Sequence, residues 1–387
     1  MHPTALLNIK FWKFYEVSFV NLICSREKLL EGINVVLKAV PTRTTLPILE
    51  CILIMAENDT VKLLCNNLEM GIETSQIEST VVNPGNIALD ARMFAEIIRK
   101  LPDGNISINS NNNLTTIKGG RSEFKISSQN ADEFPGLPDV EKSEVYKISS
   151  EDFKDMVRQT IFSVSQDESK PILMGELFEI RDSRINMVAL DGFRISFKSI
   201  EAAENYKDAS VVIPSKTLSD ILRILSSTEN EDIYIYFTDK HALFELESCK
   251  IVTRLIEGKF LNYVNIFTDD YKTILTTNRQ EFLESVERAA LICVDNKKNP
   301  VKFKIEDDKM IITSNTELDA SYEELSVNMD GEPLEIAFNP KYLTDALRTI
   351  DSEDITIQFT TSLNPCIIKP TDETDAKYLI LPLRLKD

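Results

Sequence analysis

The sequence predicts an α+β protein of three similar modules, each holding two strand-helix-strands units. One helical pattern is written three times. Phe94, Ile97, Ile98 and Leu101 recur as Leu218, Ile221, Leu222 and Leu225, and again as Leu343, Ala346, Leu347 and Ile350, at offsets of about 125 residues. Each set occupies positions i, i+3, i+4 and i+7, one apolar face of a helix. A second family interleaves with the first: Leu29, Gly32, Ile33 and Val36, then Phe153, Met156, Val157 and Thr160, then Phe282, Ser285, Val286 and Ala289. A length of 387 residues suits three domains, each large enough to bury a core.

The elements follow in order. Helices are expected at 26–39, 90–101, 151–164, 215–226, 279–291 and 340–350. Strand-like stretches precede the second helix family at Val17 to Cys24, Val145 to Ile148 and Thr273 to Thr277. Others precede the first family at Asn86 to Leu89, Ser210 to Ile213 and Glu335 to Phe338, and alternating strands follow it at Asn105 to Asn109, Asp232 to Phe237 and Asp354 to Phe359. Polar stretches at Asp139 to Glu144 and Thr268 to Lys272 read as linkers. The expected domains are therefore 17–138, 144–267 and 271–387, after an N-terminal extension, 1–16, that matches nothing in the other modules. Its aromatic cluster, Phe11, Trp12, Phe14 and Tyr15, is too broken for a secretory signal.

Composition narrows the class. No apolar run approaches the roughly 18 residues of a membrane helix. Cys24, Cys51, Cys65, Cys249, Cys293 and Cys366 lie far apart with no CxxC pair, and read as reduced, packed thiols of a cytosolic protein. His2 and His241 are the only histidines, so a histidine-based relay is not expected. No phosphate-loop, nucleophile-elbow or HExxH motif occurs, and Gly119-Gly120 lacks the rest of a phosphate loop. Asp269-Asp270 and Asp307-Asp308 read as solvated turns. No catalytic residue, metal or cofactor is expected.

The net charge of −19 argues at first against nucleic acid, yet the predicted helices are close to neutral and the rest of the chain carries the acidity. In the first helix family a base stands two residues before each apolar set (Arg92, Lys216, Lys341) and an arginine five residues after its first member (Arg99, Arg223, Arg348). At about 100° per residue both fall opposite the apolar face. Glu96, Asp220 and Asp345 lie between them, so ordinary surface ion pairs are the competing explanation.

Four stretches resemble the bacterial DNA polymerase III beta-subunit family, the replicative sliding clamps. They are Arg43-Thr44-Thr45-Leu46-Pro47-Ile48-Leu49, Ala131-Asp132-Glu133-Phe134-Pro135, Asp191-Gly192-Phe193-Arg194, and Tyr378 to Leu385. The resemblance spans residues 17 to 387 and implies a DNA clamp fold of two β-α-β-β-β units per domain. It also implies a head-to-tail homodimer whose helices line a central hole, with sheets outside. Duplex DNA, encircled without sequence preference, would then face Arg43, Arg92, Arg99, Lys216, Arg223, Lys341 and Arg348.

The same resemblance implies a pocket for short peptide motifs of the DNA polymerase III alpha subunit, the clamp loader and other partners. Its wall would be Lys170, Leu173, Gly192, Phe193, Arg194, Ile195, Leu261, Ile266, Tyr342, Leu379, Ile380, Pro382, Leu383 and Arg384, with Lys170, Arg194 and Arg384 on the rim. The chain departs from commoner family forms at Leu190, Phe193 and Leu261, where Thr, His and Pro are frequent. The dimer contact would join Ile97, Leu101, Phe124 and Ile126 to Leu291 and Ile292. Two readings from other classes remain beside it: a repeat-built scaffold with no nucleic-acid role, and an enzyme on a triplicated scaffold.

Overall fold

The computed structural model describes residues 19–111, 113–225, 231–267, 270–292, 300–316, 318–372 and 375–384. The first module runs β1 (Phe19–Ser25), α1 (Arg26–Val36), β2 (Cys51–Glu57), β3 (Thr60–Asn66), β4 (Met70–Thr74), β5 (Ile77–Asn83), β6 (Gly85–Asp90), α2 (Ala91–Lys100), β7 (Asn105–Asn111), β8 (Leu114–Gly119) and β9 (Ser122–Gln129). The second runs β10 (Tyr146–Ser149), α3 (Ser150–Thr160), β11 (Gly175–Arg181), β12 (Arg184–Leu190), β13 (Arg194–Glu201), β14 (Ala209–Pro214), α4 (Ser215–Leu225), β15 (Asp232–Phe237), β16 (His241–Glu245) and β17 (Cys249–Arg254). The third runs β18 (Thr273–Asn278), α5 (Arg279–Ala290), β19 (Val301–Glu306), β20 (Lys309–Asn315), β21 (Ala320–Ser326), β22 (Asn328–Gly331), β23 (Leu334–Phe338), α6 (Pro340–Thr349), β24 (Asp354–Phe359), β25 (Cys366–Pro370) and β26 (Ala376–Ile380).

Helix starts follow from capping. Asp90 accepts the Met93 N–H, Ser149 that of Asp152, Asn278 those of Gln280 and Glu281, and Asn339 that of Lys341. Helix ends depart slightly from expectation, because residues 37–39 and 161–163 tighten into 3₁₀ turns. At the second of these the Thr160 hydroxyl bonds back to the Met156 carbonyl. The expected β-α-β-β-β unit is modified twice, since its last strand is divided into β4 and β5, and into β21 and β22. In the second case the Val327 N–H leaves the ladder for the Asp308 carbonyl at 3.0 Å, and the Met329 N–H takes the Asp308 carboxylate. Asp307 and Asp308 form the two-residue turn of the β19–β20 hairpin, both with positive φ.

The chain separates into two compact units: Met1–Pro138 with Glu247–Ile251, and Asp139–Leu246 with Val252–Asp387. In the first, strands are ordered β4-β3-β2-β6-β9-β8-β7-β1-β5, and β5 also pairs with β3, so the sheet returns on itself. In the second, a nine-stranded sheet has the order β14-β11-β12-β13-β26-β25-β24-β18-β22 and a four-stranded sheet β21-β20-β19-β23. The β13–β26 ladder, from Arg194↔Ile380 to Lys198↔Ala376, fuses the second and third modules. A buried polar contact crosses the same junction, Tyr378 donating to the Gln159 side chain at 3.0 Å, and within the second module Lys198, 3% exposed, meets Asp155 at 3.0 Å.

The apolar faces read from the sequence are the buried ones, except that Leu222 is half-buried while Ile224 is buried. Phe94, Ile98, Leu218, Ile221, Leu225, Leu343, Ala346 and Leu347 are all within a few per cent of complete burial. Cys24, Cys51, Cys65, Cys249 and Cys366 are buried thiols outside any disulfide, and burial pushes those of Cys24 and Cys366 up to about 12. Cys293 and the N-terminal extension lie outside the described residues.

Candidate nucleic-acid face and peptide pocket

All six helix bases of the repeated pattern stand exposed, and most are held by acids of the same helix. Lys216 and Arg223 pair with Asp220 at 3.6 and 2.9 Å, Lys341 with Asp345 at 2.7 Å, and Arg99 with Glu96. Two follow other routes. Arg92 donates to the Pro41 carbonyl at 3.1 Å, fastening the exposed segment that carries Arg43, and Arg348 crosses to Glu287 on α5 at 2.7 Å. The surface-pair explanation therefore describes real contacts. The bases themselves stand in solvent, and the exposed Arg99–Glu96 pair contributes only about 0–1 kcal/mol, whereas Asp220 and Asp345 are largely buried acids that reach out to Lys216, Arg223 and Lys341.

Sequence reasoning missed a second repeated use of arginine. Arg26, the first residue of α1, donates to the Ile98 and Arg99 carbonyls at the end of α2. Arg279, the first residue of α5, does the same for the Leu347 carbonyl of α6 and for Ser352. These cations satisfy orphan carbonyls at helix C-termini and are structural. Their position directly after a strand, in the first and third modules, was the available signal.

The pocket residues converge at the fusion of the second and third modules. Gly192, at φ +93, forms a turn that only glycine adopts without strain, and Asp191 closes it by accepting the Phe193 and Arg194 N–H groups. Phe193 is thereby left 52% exposed and stacks on Tyr342, ring centroids 6.1 Å apart. Leu381 donates its N–H to the Phe193 carbonyl and Leu383 to that of Ala337, which lays Pro382, Leu383 and Arg384 across this corner. Leu173 and Ile266 pack against the buried cluster that contains Ile195 and Leu379, and Leu261 stands 49% exposed. Lys170 and Arg384 are exposed. A cleft of about 220 Å³ opens beside Ile266 and Leu379, and it also takes in Ile367, Pro365 and Gln358, which sequence reasoning had not included.

Two expected wall residues belong elsewhere. Arg194 is no rim charge: it is 7% exposed, bonded to Asp191 at 3.0 Å, Asp345 at 2.7 Å and the Phe162 carbonyl at 2.5 Å. A buried guanidinium needs such partners, and each of its three nitrogens donates to one of these acceptors. Ile380, at 1% exposure, lies in the core of the third module. Leu190 is also buried, in the apolar layer beneath the cleft.

Among the expected dimer-contact residues, Leu291 is 74% and Phe124 38% exposed, and Ile126 and Ile292 are half-buried. Ile97 and Leu101 are buried in their own module, Leu101 against Gly119. Residues 122–127 of β9 pair, among the described residues, only with β8, and β21 only with β20. Each strand therefore presents one edge without a ladder.

Family models for the DNA polymerase III beta subunit match three successive stretches: the N-terminal domain at residues 20–138, the central domain at 147–262 and the C-terminal domain at 264–384. The chain is 34% identical to the beta sliding clamp of Halalkalibacterium halodurans, covering 94% of this chain and 100% of that one. It is equally similar, at 34%, to the beta sliding clamp of Bacillus subtilis over 93% of this chain and 98% of that one. The crystal structure of the DNA polymerase sliding clamp from Bacillus subtilis superposes with a TM-score of 0.91 at 33% identity, covering 95% of this chain and 100% of that one.

Proposed function

Because the chain belongs to the DNA polymerase III beta-subunit family, we propose that it acts as a sliding clamp, a ring-shaped, non-catalytic subunit that encircles duplex DNA and tethers its polymerase. The observation that carries this reading to the chain's own residues is the repeated helix face. On a chain of net charge −19, Arg92, Arg99, Lys216, Arg223, Lys341 and Arg348 recur at fixed positions, exposed and loosely paired. Each base keeps donor hydrogens free of its carboxylate and turned to solvent, where a phosphate can take them, and phosphate contacts read no sequence. Arg43 joins them through the segment that Arg92 fastens.

The ring is a head-to-tail homodimer of chains with domains 17–138, 144–267 and 271–387. The open edge of β9, with Phe124 and Ile126, meets the open edge of β21 in a second copy, beside Leu291 and Ile292. A heterologous contact closes when the rotation per module is right, and closure removes edges that would otherwise invite aggregation.

Partners such as the polymerase alpha subunit and the clamp loader dock short linear motifs at the corner formed by Leu173, Gly192, Phe193, Ile195, Leu261, Ile266, Tyr342, Leu379, Pro382 and Leu383, with Lys170 and Arg384 at its margin. A glutamine followed by leucine and an aromatic or second leucine would place two apolar anchors there, and such anchors carry most of the energy of a small interface. Affinity is expected near micromolar, about −8 kcal/mol. Deleting Leu383 to Asp387 removes the Leu383 anchor on the Ala337 carbonyl and the Arg384 charge, and should abolish binding of a labelled peptide of this type while leaving the oligomeric state intact. Unchanged affinity would remove the pocket assignment.

A further inference from the structure

Asp345 belongs to both candidate surfaces at once. One oxygen, Oδ2, accepts from the Lys341 ammonium at 2.7 Å and from the Arg194 guanidinium at 2.7 Å. Lys341 is 68% exposed on the repeated basic face, whereas the Arg194 side chain is 8% exposed behind the peptide corner. The guanidinium lies over the Tyr342 ring, 4.7 Å from its centroid, and over Phe162 at 5.3 Å, and Tyr342 in turn backs the exposed Phe193. A continuous chain of contacts therefore runs from an exposed cation, through one carboxylate oxygen and a buried arginine, to the two aromatic rings of the pocket wall.

We propose that Asp345 is a positioning residue that couples phosphate contact at Lys341 to peptide affinity at Phe193 and Tyr342. The inference rests on the proposed DNA-facing and peptide-binding roles of those residues. When a phosphate takes Lys341, Asp345 is left with Arg194 as its remaining partner. The competition for Oδ2 ends, and the carboxylate holds the guanidinium more firmly. Arg194 is buried against Tyr342, so the effect is passed to the ring it supports. A more firmly held Tyr342 and Phe193 form a better organised wall, and preorganisation raises affinity. By linkage, a bound peptide favours phosphate contact by the same factor.

The test is a fluorescence-anisotropy titration of a labelled peptide carrying glutamine, leucine and phenylalanine, on the full chain at low salt, with and without a short duplex. Duplex should tighten peptide binding by about fivefold, at the lower end of ordinary coupling. Lys341→Met, which removes the competitor from a surface position, should tighten peptide binding without duplex and cancel the further effect of duplex. Asp345→Asn should weaken peptide binding and abolish any response to duplex or to Lys341→Met. A merely structural Asp345 would lower affinity yet leave the response in place, and that result overturns the proposal. So does a Lys341→Met protein with wild-type affinity and wild-type response. If the unmodified protein bound no peptide, the pocket reading would fall as well, whereas peptide binding indifferent to duplex and to both substitutions would remove the coupling alone.

Discussion

Glu176 shows how much one residue can carry that a sequence does not display. It is fully buried in β11, accepts the Thr160 hydroxyl with one oxygen, and has no partner for the other among the described residues. Burial pushes its carboxyl from an ordinary 4.5 up to about 8. Between those values the folded chain keeps a proton that the unfolded chain has lost, so stability falls as pH rises, by up to about 1.4 kcal/mol per pH unit. Glu176→Gln removes the titration. Thermal unfolding from pH 5 to pH 8 should show the variant gaining steadily on the native chain, and parallel curves would contradict this account. Arg194 teaches the same lesson in reverse. Its place in the Asp191-Gly192-Phe193-Arg194 run suggested a rim charge, but Asp345, far away in sequence, and the Phe162 carbonyl make it an interior residue. Long-range partners of a charged side chain leave no local pattern to read.

At the scale of elements the sequence was far more legible. Helix periodicity placed all six helices to within a few residues, because apolar spacing and the capping residues Asp90, Ser149, Asn278 and Asn339 act locally. The divisions between β4 and β5, and between β21 and β22, were not foreseen, since they depend on where backbone groups find partners in other strands. The repeated arginines of α2, α4 and α6 were read correctly as exposed. Replacing Arg99, Arg223 and Arg348 together with Ser should flatten the salt dependence of duplex binding, since each neutralised phosphate contributes a slope of about −0.9. Arg99 and Arg348 leave only exposed or half-exposed pairs with Glu96 and Glu287, whereas Arg223 leaves the buried Asp220 with Lys216 at 3.6 Å, so the fold of the triple variant is checked by thermal unfolding beside the salt titration. A triple variant with the native salt slope would show that these side chains do not meet phosphate.

At the scale of the whole molecule, the threefold repeat gave the modules, and the resemblance in the Arg43-to-Leu49, Ala131-to-Pro135, Asp191-to-Arg194 and Tyr378-to-Leu385 stretches gave the family. The assembly is a matter of edges. Leu291, 74% exposed at the end of α5, and Ile292 stand where apolar side chains gain about 1.5–3 kcal/mol each on full burial. Leu291→Lys with Ile292→Lys should therefore give a folded monomer near the chain mass of 44.0 kDa in ultracentrifugation, against twice that for the native protein. The central claim, a ring around DNA, is tested most directly by topology. Protein assembled by a clamp loader onto a nicked circular duplex should stay with the DNA through gel filtration at high salt, and should be released when one restriction cut makes the circle linear. Release from the intact circle, or retention on the cut one, would contradict the account.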